Sequence, residues 1–217
     1  MSNIKISPSI LSADFANMGQ AVAALKGWGA DWVHCDVMDG KFVPNITFGM
    51  PMVAAIRPYS DLPFDVHLMI EEPERYVQRF IDAGADIITF HAEASRDVAG
   101  AIRTVHAAGK KVGLVLNPDR SPEDIRPYID DIDLVMLMGV YPGFSGQKFI
   151  PEVLDKMPQL LRMIGDRPIT VELDGGVTQA NIAPIAASGV QVMVGGSSVF
   201  GAADPAQAIA ALKALHV

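Results

Sequence analysis

Histidine and carboxylate recur at a spacing of two in this sequence: His34-Cys35-Asp36-Val37-Met38 and Asp65-Val66-His67-Leu68-Met69, with Asp174-Gly175-Gly176 further on. In an extended strand, residues two apart share a face. His34, Asp36 and Met38 then point one way, and Cys35 and Val37 point the other, toward covering helices. His34, Asp36, His67 and Asp174 make an N2O2 donor set for one divalent ion, zinc before iron, manganese or cobalt, and no thiolate shares their face. Two neutral imidazoles with two carboxylates also balance a 2+ charge in a buried site. Taken singly, a His or Asp at a strand end equally caps a loop. Four aligned at strand ends are hard to explain that way, because unpaired charges near a core are costly.

Other residues gather at the same level. Ser7 and Ser9 end the first strand-like run, and His91 and Glu93 follow the fourth without an assigned role. Met38, Met69 and Met138 sit at matching strand ends, as core filler or as a soft thioether wall beside a reactive carbon. Pro142-Gly143-Phe144-Ser145-Gly146, Gly195-Gly196-Ser197-Ser198 and Gly175-Gly176 are glycine-rich. Such loops hold a phosphate through backbone N–H groups, or simply make tight turns.

Placing these groups together requires strands whose ends converge. Short Val/Ile/Leu-rich runs at 5–11, 31–38, 63–69, 86–90, 111–116, 134–138, 168–173 and 190–194 read as strands buried on both faces. Between and after them, 17–28, 49–57, 73–83, 96–108, 122–129, 151–164, 179–187 and 204–215 read as helices, several closed by glycine. Gly29-Ala30-Asp31, Gly84-Ala85-Asp86 and Ser188-Gly189-Val190 repeat one helix-to-strand punctuation. Eight strand–helix units without a linker predict one (β/α)8 TIM barrel domain over 1–217, with its site at the C-terminal strand ends. An open doubly wound sheet fits less well, since 9–14 holds no glycine for a dinucleotide turn.

The whole chain agrees. A 217-residue chain that is 50% hydrophobic can bury one large core. A net charge of -8 argues against non-specific nucleic-acid binding. The lone Cys35 excludes an intramolecular disulfide and suits a reducing compartment. No apolar run is long enough to span a membrane, and the β-like run from Ile4 leaves no room for a signal peptide, so a cytoplasmic protein is expected. Phe42 and Phe48 could cover this barrel or pack on a second copy in a homo-oligomer.

The stretches Ser7-Pro8-Ser9-Ile10-Leu11-Ser12-Ala13-Asp14-Phe15, 34–45 with Gly49, Asp65-Val66-His67-Leu68-Met69, Pro142-Gly143-Phe144-Ser145-Gly146-Gln147-Lys148-Phe149, Glu172-Leu173-Asp174-Gly175-Gly176 and Gly196-Ser197 together resemble the ribulose-phosphate 3-epimerase family, in order and across the chain. The resemblance implies a barrel that interconverts D-ribulose 5-phosphate and D-xylulose 5-phosphate. It implies a metal on His34, Asp36, His67 and Asp174, with Asp36 and Asp174 as the acid/base pair. Ser9 and His67 would contact the sugar. Gly143, Phe144, Ser145, Gly146, Gly175, Gly176, Gly196 and Ser197 would line the sugar and phosphate positions. Met38, Met69 and Met138 would form the wall near the intermediate. Tyr141, Ser145 and the Gly195-Gly196 ending of the last strand depart from the family pattern and bear on which sugar phosphate is preferred.

The chemistry suits these residues. Inverting a carbon beside a ketone removes its proton and returns one to the opposite face, which two carboxyls on opposite sides of a barrel can do. A divalent metal would stabilise the cis-enediolate between the two steps. Three alternatives stand beside this reading: a D-allulose 6-phosphate 3-epimerase, a sugar-phosphate lyase or decarboxylase, and a non-catalytic sugar-phosphate-binding barrel. The lyase reading wants a lysine at the rim, and Lys41 and Lys111 fall away from it.

Overall fold

The computed structural model describes residues 4–214. Its strands are β1 (Lys5–Pro8), β2 (Val33–Met38), β3 (Phe64–Met69), β4 (Ile87–His91), β5 (Lys111–Leu116), β6 (Leu134–Met138), β7 (Thr170–Asp174) and β8 (Val192–Gly195). All pair in parallel, in the order β1-β8-β7-β6-β5-β4-β3-β2. A bridge between Ser9 and His34 closes the sheet into a barrel. The helices are α1 (Met18–Gly27), α2 (Met50–Ile56), α3 (Val77–Asp82), α4 (Val98–Ala107), α5 (Met157–Ile164), α6 (Ile182–Ala187), α7 (Ser197–Phe200) and α8 (Pro205–Ala214). Among the described residues no helix is long and apolar enough to cross a membrane.

Strand alternation divides the barrel into an outer and an inner core. Cys35, Val37, Val66, Leu68, Ile88 and Phe90 face outward into the layer between sheet and helices. Phe64, Phe80 and Phe90 are fully buried, each contributing about 1.5–3 kcal/mol. Inside, Ile87, Val115, Leu134, Met136, Met138 and Val192 form an apolar plug. Gly113 lets β5 approach that plug: a Cβ there would lie 2.8 Å from the Leu134 side chain and 2.9 Å from that of Thr89. Among the described residues, the buried polar side chains Ser7, His34, Asp36, Asp65, His67, Thr89, His91, Glu172 and Asp174 lie on β1–β4 and β7, and Ser9 follows β1 directly. The barrel interior is therefore polar along β1–β4 and again on β7, which sits between the apolar strands β6 and β8.

A second regularity marks the N-terminal face. The Asp31 N–H donates to the Ile6 carbonyl (2.9 Å), and the Asp31 carboxylate accepts from the Ile6 N–H (2.8 Å). Asp86 makes the same pair with Phe64 (2.9 and 3.0 Å), and Asp133 with Val112 (2.9 and 2.9 Å). Gln191 completes the ring with Val171 (2.8 and 3.0 Å). Each staple gives one N–H near the start of an odd-numbered strand a side-chain acceptor. This explains the aspartate of the repeated Gly-Ala-Asp.

Several boundaries differ from expectation. The run 5–11 stops at Pro8, because the Ser9 hydroxyl accepts the Leu11 N–H and caps a 3-10 turn over Ile10–Ser12. The helix expected at 122–129 is a 3-10 helix, Pro122–Tyr128, with Pro127 inside it; proline lacks the N–H that α-helical bonding needs. The runs 73–83 and 151–164 each open with a 3-10 turn that starts on a proline (Pro73–Arg75, Pro151–Lys156), followed by α3 and α5. The segment 179–187 becomes helical only at Ile182. Ser197 and Ser198, read as the end of the glycine-rich segment 195–198, begin helix α7 (Ser197–Phe200). Position 215 of the last expected helix lies outside the described residues. Phe42 packs on Met38, Val43 and Met69, and Phe48 packs on the outer core, so both cover this chain's own barrel.

Candidate active site

Strand β2 delivers His34 and Asp36, β3 delivers His67, and β7 ends on Asp174. One donor atom from each of the four lies within 4.8 Å of the others. His34 Nε2 is 3.2 Å from Asp36 Oδ1 and 3.8 Å from Asp174 Oδ2. His67 Nδ1 is 3.3 and 3.6 Å from the same two oxygens. The four donors therefore converge on one point.

The surroundings hold them in place. The Ser9 hydroxyl donates to Asp36 Oδ2 at 2.5 Å. Thr47 Oγ1 donates to the Asp36 carbonyl (2.7 Å) and accepts the Met38 N–H (3.0 Å), fixing the end of β2. His34 Nδ1 meets Asp65 Oδ2 at 2.6 Å, so the imidazole proton sits there and Nε2 is left free to face Asp36 and Asp174. Behind this pair, Glu172 is fully buried and neither of its oxygens has a hydrogen-bond partner.

Electrostatics follow from this crowding. Burial opposes the charge on His34, but Asp36 and Asp65 outweigh it and raise its pKa well above the usual histidine value. Burial also opposes charge on His67, and contacts with Asp174 and Asp36 again raise it. Burial alone would push the Asp36 carboxyl up, yet His34 and His67 hold it far below the carboxylate range. Burial, then the Asp65 charge, raises Glu172, which favours its neutral acid form. Burial and the neighbouring His67 charge push His91 well below the usual value. Burial raises the Cys35 thiol, so it is not a thiolate nucleophile.

The acid pair thus draws positive charge to one point. A divalent cation would answer the same demand while the imidazoles stay neutral. The donor chemistry fits one: His67 Nδ1 is buried without a hydrogen-bond partner although two carboxylates face it. Two imidazole nitrogens and two carboxylate oxygens suit zinc and its divalent neighbours.

Asp36 and Asp174 line the base of a cleft of about 540 Å³. Ser9, Met38, Met69 and Met138 line it with them, as do Gly143, Phe144, Ser145, Gly146, Gly175, Gly176, Gly196 and Ser197. His34 and His67 are fully buried and do not line it. Met38, Met69 and Met138 are nearly inaccessible to water despite facing the cleft. Two loops meet at the rim: the Asn45 amide donates to the Gly143 carbonyl at 2.8 Å, and the Gln147 amide ties the Tyr141 and Phe144 carbonyls at 2.7 and 3.0 Å. Phe144 is 56% exposed there. Packing explains part of the glycine pattern. At Gly175 (φ 108°) a Cβ would lie 2.5 Å from the Val140 side chain, and at Gly176 (φ 71°) 2.5 Å from the Phe149 nitrogen.

Sequence reasoning assigned no site role to Asp65, Glu172, Thr47 or Lys148. The first two lay within reach, being two residues before His67 and Asp174 on the same faces. Thr47 acts through a loop with no periodicity. Lys148 lines the cleft from another such loop, whereas Lys41 and Lys111 do not.

Fold and site define a (β/α)8 barrel enzyme with a buried His/carboxylate centre beneath a glycine-rimmed cleft. The sequence model of the "Ribulose-phosphate 3 epimerase family" matches residues 5–200. The chain is 47% identical over 213 residues to ribulose-phosphate 3-epimerase of Bacillus subtilis, covering 97% of this chain and 98% of that protein. It is 50% identical over 207 residues to ribulose-phosphate 3-epimerase 1 of Cupriavidus necator, covering 93% and 86%. At 20% identity, 3-hexulose-6-phosphate synthase from Salmonella typhimurium shares the fold, with a TM-score of 0.73 over 98% of both chains. The chain belongs to the ribulose-phosphate 3-epimerase family, whose members are isomerases.

Proposed function

We propose that this protein interconverts D-ribulose 5-phosphate and D-xylulose 5-phosphate by moving a proton between the two faces of C3, with Asp36 and Asp174 as the two acids. The observation that carries this reading is their convergence at the base of the cleft, on strands β2 and β7, with the same two histidines facing both. One carboxylate takes the C3 proton from one face, and the other, as an acid, returns a proton to the opposite face; in the reverse reaction the roles exchange. Ser9, hydrogen-bonded to Asp36, holds that carboxyl in the cleft. The thioethers of Met38, Met69 and Met138 give the planar enediolate an apolar wall and keep out water that would exchange or misdirect the proton. The glycine-lined rim and Ser197 bind the phosphate away from the reacting carbon. His34, Asp36, His67 and Asp174 would hold one divalent ion, zinc first. Such an ion supplies Lewis-acid stabilisation of negative charge developing on the ketose oxygens. The reading places the enzyme in the cytoplasm with a small phosphorylated ketose as its ligand.

A coupled assay on protein of measured metal content tests it, offering D-ribulose 5-phosphate and D-allulose 6-phosphate in parallel. Turnover of the pentulose at the higher kcat/KM is expected. Preference for the hexulose would move the substrate assignment, and tight binding of either without turnover would overturn the enzymatic reading.

A further inference from the structure

His91 takes no part in the reaction described above, yet it is fully buried against the centre. Its Nε2 lies 3.0 Å from His67 Nε2. The ring centres are 5.2 Å apart and the rings tilt by only 27°. Nitrogens so much closer than the ring centres place the imidazoles edge to edge, as when one ring's N–H donates along the other's lone pair. The Phe42 ring packs against His91, with ring centres 4.7 Å apart. On its far side His91 Nδ1 faces Glu93 Oε1 at 3.9 Å. Glu93 is itself held by the Asn117 amide (2.9 Å) and by Arg120 (3.3 Å).

An N···N contact admits only one proton. For His67 to offer the Nδ1 lone pair to a cation, its own proton must sit on Nε2, and His91 Nε2 must then be bare. The His91 proton is left on Nδ1, on the side of the Glu93 carboxylate. We infer that His91 is a positioning residue that fixes His67 in its metal-binding tautomer, as Asp65 does for His34. The inference rests on the metal reading of the site. It gives the two imidazole ligands different supports, an anionic carboxylate for one and a neutral imidazole for the other. Buried supports of metal-ligating histidines change metal affinity by about 10–100-fold when removed.

The test uses Zn2+ alone as probe. His91→Phe fills the same space without an acceptor, and His91→Gln restores an acceptor oxygen. Competition with a chromophoric chelator should show Zn2+ affinity about 10–100-fold weaker in His91→Phe, partly recovered in His91→Gln, with both metal-free variants melting close to the unaltered protein. Should His91→Phe fail to fold, long-range 1H–15N NMR of the unaltered Zn2+-loaded protein decides the matter. A proton on His67 Nε2 with a bare His91 Nε2 is expected. A proton on His91 Nε2, or Zn2+ affinity in His91→Phe within twofold of the unaltered protein, overturns the inference while leaving the metal reading intact. Absence of Zn2+ binding by the unaltered protein overturns both.

Discussion

Replacing Asp86 by Ala removes one of the four N-terminal staples and tests the account of the fold. Asp86 Oδ2 accepts the Phe64 N–H at 3.0 Å and pairs with Arg57 at 3.0 Å, while Oδ1 pairs with Lys110 at 2.8 Å. Losing a hydrogen bond to a charged group costs about 1.5–3 kcal/mol. The two ion pairs add about 0.2–1 kcal/mol each, at the low end because the Asp86 side chain is 36% exposed and screened by solvent. The expected total for Asp86→Ala is about 2–4 kcal/mol in urea denaturation at pH 7. Gln191→Ala, which loses a neutral amide bond to the Val171 N–H, should cost about 1 kcal/mol. Asp86→Asn keeps an acceptor and should fall between. The pH dependence has a definite sign. Burial pushes the Asp86 carboxyl up, but Lys110, the Phe64 N–H and Arg57 outweigh it and leave its pKa lowered. The unfolded chain, titrating near the ordinary value of about 3.9, takes up this proton first as pH falls. The stabilisation is therefore complete above that value and is lost as pH drops through the lowered folded value. The gap between the unaltered protein and Asp86→Asn should narrow over that window. A cost for Asp86→Ala below about 0.5 kcal/mol, or no larger than that of Gln191→Ala, would refute the staple reasoning.

Two further outcomes are expected. Chelation should abolish activity, and Zn2+, Mn2+, Fe2+ or Co2+ should restore it; full activity in protein shown metal-free by elemental analysis would end the metal reading. Gly176→Ala forces a Cβ to 2.5 Å from the Phe149 nitrogen at a φ of 71°, so the 139–149 loop must move. A fall in kcat/KM of about 10²-fold with Zn2+ affinity retained is expected, and a simultaneous kinetic and metal titration checks it.

Much of the architecture was legible because alternation at period two separates His34, Asp36, His67 and Asp174 from the apolar residues beside them. The same alternation carried Asp65 and Glu172, but a carboxylate that supports another side chain leaves no separate signature in sequence. Strand β1 ended early because the Ser9 hydroxyl, not apolar periodicity, decides where extended backbone stops. Helix α7 is four residues long, too short for a helical period to register. The helix-to-strand punctuation was visible before Asp31, before Asp86 and, as Ser188-Gly189-Val190, just before Gln191, but only the first two carry the aspartate. Asp133 and Gln191 fill the same structural position with different neighbours, and their partners lie one strand away in space. The glycines read as phosphate cradles are also packing requirements, since Gly175 and Gly176 approach Val140 and Phe149 too closely for a Cβ. Sequence alone could not separate these two causes.

Two acids at the base of one cleft are the central claim, and proton NMR of D-ribulose 5-phosphate turned over in 2H2O tests it most directly. The account predicts D-xylulose 5-phosphate bearing deuterium at C3, with Asp36→Asn and Asp174→Asn each slowed by about 10²–10⁴-fold. Product that retains the C3 hydrogen, or either variant turning over within about tenfold of the unaltered protein, would contradict it.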